Sequence, residues 1–207
     1  MKNLKPLLTH LLILFIFLVL SYVYFYPVLE GKVLKANDSS VSTFNSQEIR
    51  DFREANGKDP LWTNSLFSGM PAYLILVKHP GNLIKYVDNV LRVFRMPVSV
   101  LFLSMAGFYL LLLIFGLNPW LAFTGALAYG LSSFFFQILA AGHNTQAIAL
   151  AYLPPLVGGI YYAYRRDAWK GAVFTGLILS LELLANHPQI TYYAMICLLV
   201  FVVAEFI

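Results

Sequence analysis

Long apolar segments are the feature of this sequence that most restricts its fold. A bilayer-spanning helix needs about 20 mostly apolar residues, and in lipid its backbone hydrogen bonds must be satisfied internally. The 207-residue chain has about six such segments, at residues 7–26, 98–117, 119–140, 146–164, 170–186 and 189–207. The sequence therefore predicts an all-α, polytopic transmembrane helix bundle with about six spans, in which residues 1–207 form a single transmembrane domain.

The composition agrees with this class. Hydrophobic residues make up 59% of the chain and charged residues 12%, whereas about a quarter of a soluble domain is charged. The net charge of +4 does not indicate a nucleic-acid partner, because most of the Lys and Arg residues lie at 28–97, where acidic residues are interspersed. Cys197 is the only cysteine, so an intrachain disulfide is excluded.

Lys and Arg residues in the short connections predict the orientation of the chain. Lys2 and Lys5 precede the first span, and Arg165, Arg166 and Lys170 lie between the fourth and fifth spans. The short connections at the other ends of the spans carry neither residue type. Because cytoplasmic loops are enriched in Lys and Arg, we expect a multi-pass protein with a cytoplasmic N-terminus.

Residues 28–97 then form a long non-cytoplasmic loop, which carries helical signals of its own. Ser46 to Ala55 predicts a short polar helix that ends at Asn56-Gly57. A second helix is predicted by apolar residues at helical spacing with basic residues among them: Leu83, Lys85, Val87, Val90, Leu91, Arg92, Phe94 and Arg95. This pattern is typical of an amphipathic helix in the headgroup region, which makes membrane lipid a partner.

Two patterns inside the spans predict how they pack. Ala122, Ala126 and Gly130 recur every four residues in the third span, and small residues at this spacing allow close helix contact. Pro154-Pro155 removes backbone hydrogen bonds in the fourth span, so this helix should lie inside the bundle. The chain ends at Phe206-Ile207 within an apolar segment, and we expect a longer protein of which these residues are the N-terminal portion.

Candidate site residues collect at the non-cytoplasmic ends of the spans. The connection after the third span contains His143 and Asn144, and the one after the fifth contains Asn186, His187 and Gln189. The two histidines suit three roles: metal ligands, general bases or phosphate-binding donors, and helix caps. The sequence has no H-E-x-x-H motif and no close pair of histidines, so we predict no metal site, although a divalent cation stays possible.

Further candidates carry charge or an aromatic ring. Glu182 lies about one turn inside the fifth span, where an ionisable group by default marks a functional site; a hydrogen bond that only stabilises the bundle is the alternative. Arg92 and Arg95 suit an anionic phosphate or extend to the interface. Asp38 lies in the turn-like Asn37-Asp38-Ser39-Ser40, and Trp62 lies in an aromatic part of the loop.

Several of these segments together resemble a known family. They are Leu61-Trp62-Thr63-Asn64, Phe67-Ser68-Gly69-Met70-Pro71, Leu83-Ile84-Lys85-Tyr86, Gly142-His143-Asn144 and Ala185-Asn186-His187-Pro188-Gln189. In order and spacing, over nearly all of the chain, they are similar to the bacterial YfhO family of membrane proteins, in particular to its Bacteroidetes-type members.

The resemblance implies a GT-C-like fold and a glycosyltransferase of the bacterial cytoplasmic membrane. Such an enzyme transfers a sugar from a polyprenyl-phosphate donor to a cell-envelope polymer at the outer face. In GT-C enzymes an acidic residue early in the first outer loop serves as catalytic base or metal ligand. Asp38 best matches this position and is predicted to be the catalytic base, with Glu30 as the runner-up. For the same function we predict substrate contacts from Trp62, Arg92, Arg95, His143, Asn144, Glu182, Asn186, His187 and Gln189. Where many GT-C proteins carry a second acid, this chain has Gly142-His143-Asn144.

Two functions without glycosyl transfer are the alternatives. A transporter or flippase of a lipid-linked or anionic substrate would use the proline-containing fourth span and Glu182 as part of a path through the bundle. A non-catalytic scaffold would present the long loop to envelope partners. The collection of polar residues at one end of the spans favours the transferase.

Overall fold

The computed structural model of the chain describes residues 5–76 and 81–206, and it is 75% helical. The all-α class is therefore confirmed. The helices are α1 Lys5–Tyr24, α2 Asn37–Asn45, α3 Gln47–Asn56, α4 Ile84–Leu91, α5 Val98–Ile114, α6 Pro119–Gly130, α7 Ser133–Ala141, α8 Asn144–Arg165, α9 Ala168–Leu184 and α10 Pro188–Phe206. Two-residue strands, β1 Trp62–Thr63 and β2 Met70–Pro71, pair in antiparallel fashion, and 3-10 turns occur at Tyr26–Val28 and Ala72–Leu74.

All six apolar segments of the sequence are helical, and several are long enough to cross a membrane. Among the described residues, four stretches have the required length and apolar composition: α1, Pro119–Ala141, α8 and Pro188–Glu205. Helix α5 is apolar but has only 17 residues, as does α9. A helical bundle is confirmed, and its long apolar helices indicate a membrane protein.

The third apolar segment is not one continuous helix. Helix α6 ends at Gly130, Leu131 and Ser132 leave the helical conformation, and α7 begins at Ser133. The stretch Pro119–Ala141 is nevertheless long and apolar enough to cross a membrane, as expected for the third span. Gly and Ser are weak helix formers, because glycine loses more backbone entropy and serine competes for backbone hydrogen bonds. The small-residue stripe is nevertheless buried, as predicted, since Ala122, Ala126 and Gly130 all lie in the interior.

Helix α8 lies at the centre of the bundle, which confirms the prediction made from its proline pair. Of its most apolar stretch, 56% is buried, against 11% for α10. Pro154 and Pro155 are both buried, and α8 runs through them without a break. The main core cluster joins its apolar side chains to α5, α7 and α9, through residues such as Val100, Leu139 and Leu181.

A glycine on α5 makes the close approach to α8 possible. A Cβ atom added at Gly107 would lie 2.8 Å from the carbonyl oxygen of Ala151 and 3.0 Å from Cδ of Pro155. The Ala151 carbonyl is the one that Pro155 leaves without its usual helical partner, because proline has no N–H. Because Gly107 has no side chain, the backbone of α5 can pack directly against α8 at the point where α8 lacks one backbone hydrogen bond.

We expect Gly107→Ala to destabilise the bundle by about 1–3 kcal/mol, the usual cost of overpacking. The new methyl group meets a backbone oxygen that cannot rotate away. Gly176→Ala is the matched control, because a Cβ atom there meets nothing within 4 Å. Thermal unfolding of both variants in detergent micelles measures the effect, and equal melting temperatures for the two would contradict the close α5–α8 packing.

The long loop contains the two predicted helices, but their lengths differ from the expectation. Helix α3 ends at Asn56 with Gly57 in the left-handed conformation, φ 64°, so the stop signal is confirmed. The amphipathic helix is shorter than predicted: α4 ends at Leu91, and Arg92 leaves the helical conformation with φ −105° and ψ 33°. Several of its apolar side chains, including Tyr86 and Val90, are exposed.

Hydrogen bonds to the carboxylate of Glu48 connect two parts of the long loop. Glu48 accepts from the hydroxyl of Thr63 at 2.6 Å and from the backbone N–H of Asn64 at 2.9 Å. These bonds hold the pKa of Glu48 below its usual value. Helix α3 and the β-hairpin therefore form one unit.

Helix α4 is attached to the bundle by a buried polar cluster. Asp88 is 4% exposed and accepts a hydrogen bond from the hydroxyl of Tyr152 on α8 at 2.8 Å. It also accepts from Nε of Arg92 at 2.8 Å and from a second nitrogen of the same guanidinium. Both carboxylate oxygens of Asp88 therefore have hydrogen-bond partners, and the bond from Tyr152 connects α4 to α8.

Candidate functional site

Asp38 and His143 are in direct contact across two elements that are far apart in the sequence. Asp38 lies in the first turn of α2, so the turn predicted at Asn37 to Ser40 is instead the start of a helix. Nε2 of His143, the residue before α8, lies 2.7 Å from Oδ2 of Asp38. This is the separation typical of a charge-assisted contact between an imidazole and a carboxylate. The contact connects α2 in the long loop to the start of α8.

The turn between α9 and α10 brings a second histidine to the same place. Asn186 adopts a positive φ of 56°, a conformation that asparagine tolerates better than most residues, and the chain reverses within three residues. Nδ1 of His187 then lies 3.3 Å from the hydroxyl of Thr145 on the first turn of α8. The two histidines therefore belong to one cluster although they are 44 positions apart in the sequence.

These residues line a cavity of about 720 Å³ at this end of the bundle. Five of the predicted site residues contribute to it: Asp38, His143, Asn144, His187 and Gln189. The remaining lining residues are Ser42, Gly142, Thr145, Gln146, Ile190 and Tyr193. The cavity thus combines one carboxylate and two imidazoles with several amide and hydroxyl groups, a mixture suited to binding the hydroxyl groups of a polar ligand.

Six of the lining residues were not among the predicted site residues, and helical spacing could have found two of them. Ser42 lies four residues after Asp38 on α2, and Tyr193 lies four residues after Gln189 on α10. Residues four positions apart share one face of a helix. Once Asp38 and Gln189 are candidates, their i+4 neighbours become candidates as well.

Glu182 is not part of this cavity. Its side chain is fully buried, and both carboxylate oxygens lie 2.9 Å from the hydroxyl of Thr191 on α10. The contact joins α9 to α10 directly behind the turn that carries His187. This arrangement corresponds to the alternative of a stabilising hydrogen bond.

Asn186 and Trp62 also lie outside the cavity lining. Asn186 lines a separate cavity of about 560 Å³, with residues of α4, α9 and the turn Ala72–Leu74. Trp62 is half exposed in β1 and its ring packs over Gly69, where an added Cβ atom would lie 2.6 Å from Nε1. The structure therefore places these two residues apart from Asp38 and His143.

The two arginines differ in their surroundings. The guanidinium of Arg92 is held by Asp88, which raises its pKa above the usual value. Arg95 is exposed and has no ion-pair partner among the residues that the structure describes. Of the two, Arg95 is the one whose charge is available to a phosphate or to lipid headgroups.

In residues 5–76 and 81–206, no group of three or more His, Cys, Asp or Glu side chains has an arrangement that could hold a metal ion. Zinc sites and most transition-metal sites need at least three such protein ligands. The side chains of Asp38 and His143 can both take part in hydrogen bonding and proton transfer.

The two histidines interact electrostatically. Burial, and then the positive charge that His143 can carry, lower the pKa of His187 below its ordinary value. The folded protein therefore binds this proton more weakly than the unfolded chain does. As a consequence, the free energy of unfolding falls as the pH drops through the ordinary imidazole value of about 6.5.

We expect His143→Gln to raise the pKa of His187 part of the way back to its ordinary value. The substitution removes the charge of His143, the smaller of the two causes, and leaves the burial. Titration of the His187 ring by NMR, with isotope-labelled histidine, measures the shift. The same pKa of His187 in both proteins would contradict an electrostatic interaction between the two rings.

An apolar groove of about 400 Å³ begins beside the polar cavity and runs between α8 and α10. It shares Ile190 and Tyr193 with the cavity. From Ile190 to Phe201 on α10, the groove extends over about 16 Å at the helical rise of about 1.5 Å per residue. Its other lining residues are Phe115, Leu150, Leu153, Val157, Tyr161, Ala194, Cys197 and Leu198. A polar cavity and an apolar groove are thus adjacent.

Comparison with protein-family models, with curated proteins and with solved structures found no match.

Proposed function

We propose that this protein is a GT-C-like membrane glycosyltransferase related to the YfhO family. It transfers a sugar from a polyprenyl-phosphate donor to a cell-envelope acceptor at the outer face of the bacterial cytoplasmic membrane. The observation that carries the proposal is the contact between Asp38 and His143 in a polar cavity that adjoins an apolar groove.

The adjoining cavity and groove support an amphiphilic substrate. The sugar of a lipid-linked donor needs hydroxyl, amide and imidazole partners, which Asn144, Gln146, His187 and Gln189 supply. Its prenyl chain needs an apolar surface that faces the hydrocarbon core, and the groove between α8 and α10 has this character. A soluble sugar donor would have no use for the groove.

The proposed topology has six spans, formed by α1, α5, α6 with α7, α8, α9 and α10. The N-terminus is cytoplasmic, and residues 28–97 are outside. This orientation is supported by the positions of Arg165, Arg166 and Lys170 at the α8–α9 connection, at the opposite ends of these helices from His143 and His187. The cavity then opens to the outer face, where envelope polymers are found.

The chemistry that the site supports is displacement at the anomeric carbon of the donor sugar. The acceptor hydroxyl attacks this carbon and loses its proton, while polyprenyl phosphate leaves with the bonding electrons. The pair formed by Asp38 and His143 supplies the proton acceptor. The exposed Arg95 compensates phosphate charge at the headgroup level.

The proposal is tested with the purified protein in lipid nanodiscs. The donors are polyprenyl-phosphoryl glucose, galactose, mannose and N-acetylglucosamine, radiolabelled in the sugar, each with a long and a short prenyl chain. Envelope extract supplies the acceptor, and a parallel series contains a chelator. We expect label to pass into polymer from one of the donors, more slowly when the chain is too short to fill the groove.

Four other results have distinct meanings. Transfer that does not depend on chain length would contradict the role of the groove. Loss of transfer with chelator would show that a divalent cation takes part. A donor that binds and crosses the bilayer without transfer would favour the transporter or flippase, and the absence of both binding and transfer would favour the scaffold.

A further inference from the structure

The contact between Asp38 and His143 determines which nitrogen of the imidazole carries the proton. Nε2 of His143 lies 2.7 Å from Oδ2 of Asp38. A carboxylate only accepts hydrogen bonds, and two lone pairs cannot face each other at this distance. Nε2 therefore carries a proton, and in the neutral form of the ring the lone pair is on Nδ1.

Nδ1 of His143 is free to accept a proton. It has no hydrogen-bond partner in the part of the chain that the structure describes, and 47% of the side chain is exposed. The ring lines the cavity, where the other titratable groups are Asp38 on α2, His187 in the α9–α10 turn and Tyr193 on α10. Of these, the carboxylate of Asp38 is the one that an imidazolium would attract.

We propose that His143 takes the proton of the acceptor hydroxyl and that Asp38 acts through it as a positioning residue. This inference rests on the proposed transferase function and refines it, because the resemblance assigns the base to Asp38. In the step, the acceptor oxygen forms a bond to the anomeric carbon and its proton passes to Nδ1. The bond from the anomeric carbon to the phosphate oxygen breaks, and polyprenyl phosphate retains the electron pair.

The chemistry of the two groups favours this assignment. An imidazole is ordinarily a stronger base than a carboxylate, and Oδ2 of Asp38 already faces Nε2. When Nδ1 gains a proton, the imidazolium that forms is stabilised by the adjacent carboxylate. The same division of roles between an imidazole and an aspartate operates in hydrolases with a serine–histidine–aspartate triad.

Two variants separate the proton acceptor from a group that only shapes the cavity. His143→Gln keeps the size of the side chain and removes the base. His143→Gly leaves a space that free imidazole can enter, so a series of substituted imidazoles of graded basicity can replace the missing ring. His187→Gly is the matched control, because it opens a similar space in the same cavity without removing the partner of Asp38.

The measurements are the transfer rate from the radiolabelled donor that the wild-type protein uses, the donor affinity and the melting temperature, all in nanodiscs. We expect His143→Gln to lower the rate about 10²–10⁴-fold, the usual contribution of general-base catalysis. In His143→Gly, added imidazoles should restore transfer, with a rate that increases with their basicity. In His187→Gly, the donor affinity falls and the rate does not follow the basicity of the additive.

Each opposite result overturns a different statement. If the wild-type protein transfers sugar and folded His143→Gln does so within about threefold of its rate, the inference fails and Asp38 remains the base. Restoration that is independent of imidazole basicity would also exclude His143 as the proton acceptor. If the wild-type protein transfers sugar from none of the donors, the proposed function itself fails.

Discussion

Asp38→Asn is expected to lower the rate of sugar transfer about 10²–10⁴-fold in nanodiscs, with little change in protein stability. The amide has nearly the size of the carboxylate, so the first turn of α2 can keep its place beside His143. It carries no negative charge, however, and cannot stabilise the imidazolium that forms when the acceptor is deprotonated. The loss is expected in the rate at saturating donor, because the missing interaction is made in the transition state.

Glu30→Gln is the matched control for this experiment. Glu30 is the runner-up for the catalytic base, lies in the same loop and is half exposed, but it pairs with Lys32 at 2.5 Å and does not line the cavity. We expect its variant to transfer sugar within about twofold of the wild-type rate. If Asp38→Asn, present at normal levels, also transfers sugar at the wild-type rate, the Asp38–His143 pair is not the catalytic group.

The largest effect on stability is expected from Asp88→Ala, at about 3 kcal/mol. Asp88 accepts hydrogen bonds from Arg92 and from Tyr152, and its side chain is 6% exposed. Its removal leaves the guanidinium of Arg92, 26% exposed, without a partner at the edge of the bundle. Removing one partner of a buried pair costs about 3–5 kcal/mol, and the partial exposure of Arg92 puts this case at the lower end.

Unfolding in mixed micelles by added denaturing detergent measures the difference. Tyr152→Phe removes one hydrogen bond and leaves the ion pair, so we expect a loss of about 1 kcal/mol. Glu54→Ala, an exposed acidic position on α3, should change the stability by less than about 0.5 kcal/mol. If Asp88→Ala unfolds with the same midpoint as Glu54→Ala, α4 is not held to α8 by this cluster.

Local signals in the sequence were sufficient for most of the helices. The apolar segments predicted the six long helical stretches, because a helix in lipid satisfies its own backbone hydrogen bonds. The tight turn at Gly116 to Pro119, between the second and third apolar segments, also has local signals. Gly116 has a φ of 90°, and the side chain of Asn118 accepts from the N–H groups of Trp120 and Leu121.

The structure differs from the sequence-based expectations where local signals are weak. The break after Gly130 interrupts an apolar segment without a charge or a proline, so hydropathy does not reveal it. At Asp38, the polar sequence suits a turn and the first turn of a helix equally well, since both contain Asp and Asn. The end of α4 at Leu91 coincides with the turn of Arg92 back to Asp88, a contact that the spacing of apolar residues does not report.

The candidate site was predicted in part. The motif residues His143, Asn144, His187 and Gln189 were identified from their unusual polarity in short connections, and the structure places them together with Asp38. The role of Glu182 could not be decided in this way. A carboxylate near the end of a span has the same sequence pattern whether it faces a cavity or, as here, the hydroxyl of Thr191.

By itself the sequence determined the helices and the chemical groups at the ends of the spans, because hydropathy and caps act over short stretches of chain. Only the tertiary structure decided which of those groups meet. The contact of Asp38 with His143 joins residues 105 positions apart, and the cavity borders the groove because α10 lines both. Such contacts depend on how the helices pack, and packing is set by the fit of many side chains at once, which no local pattern records.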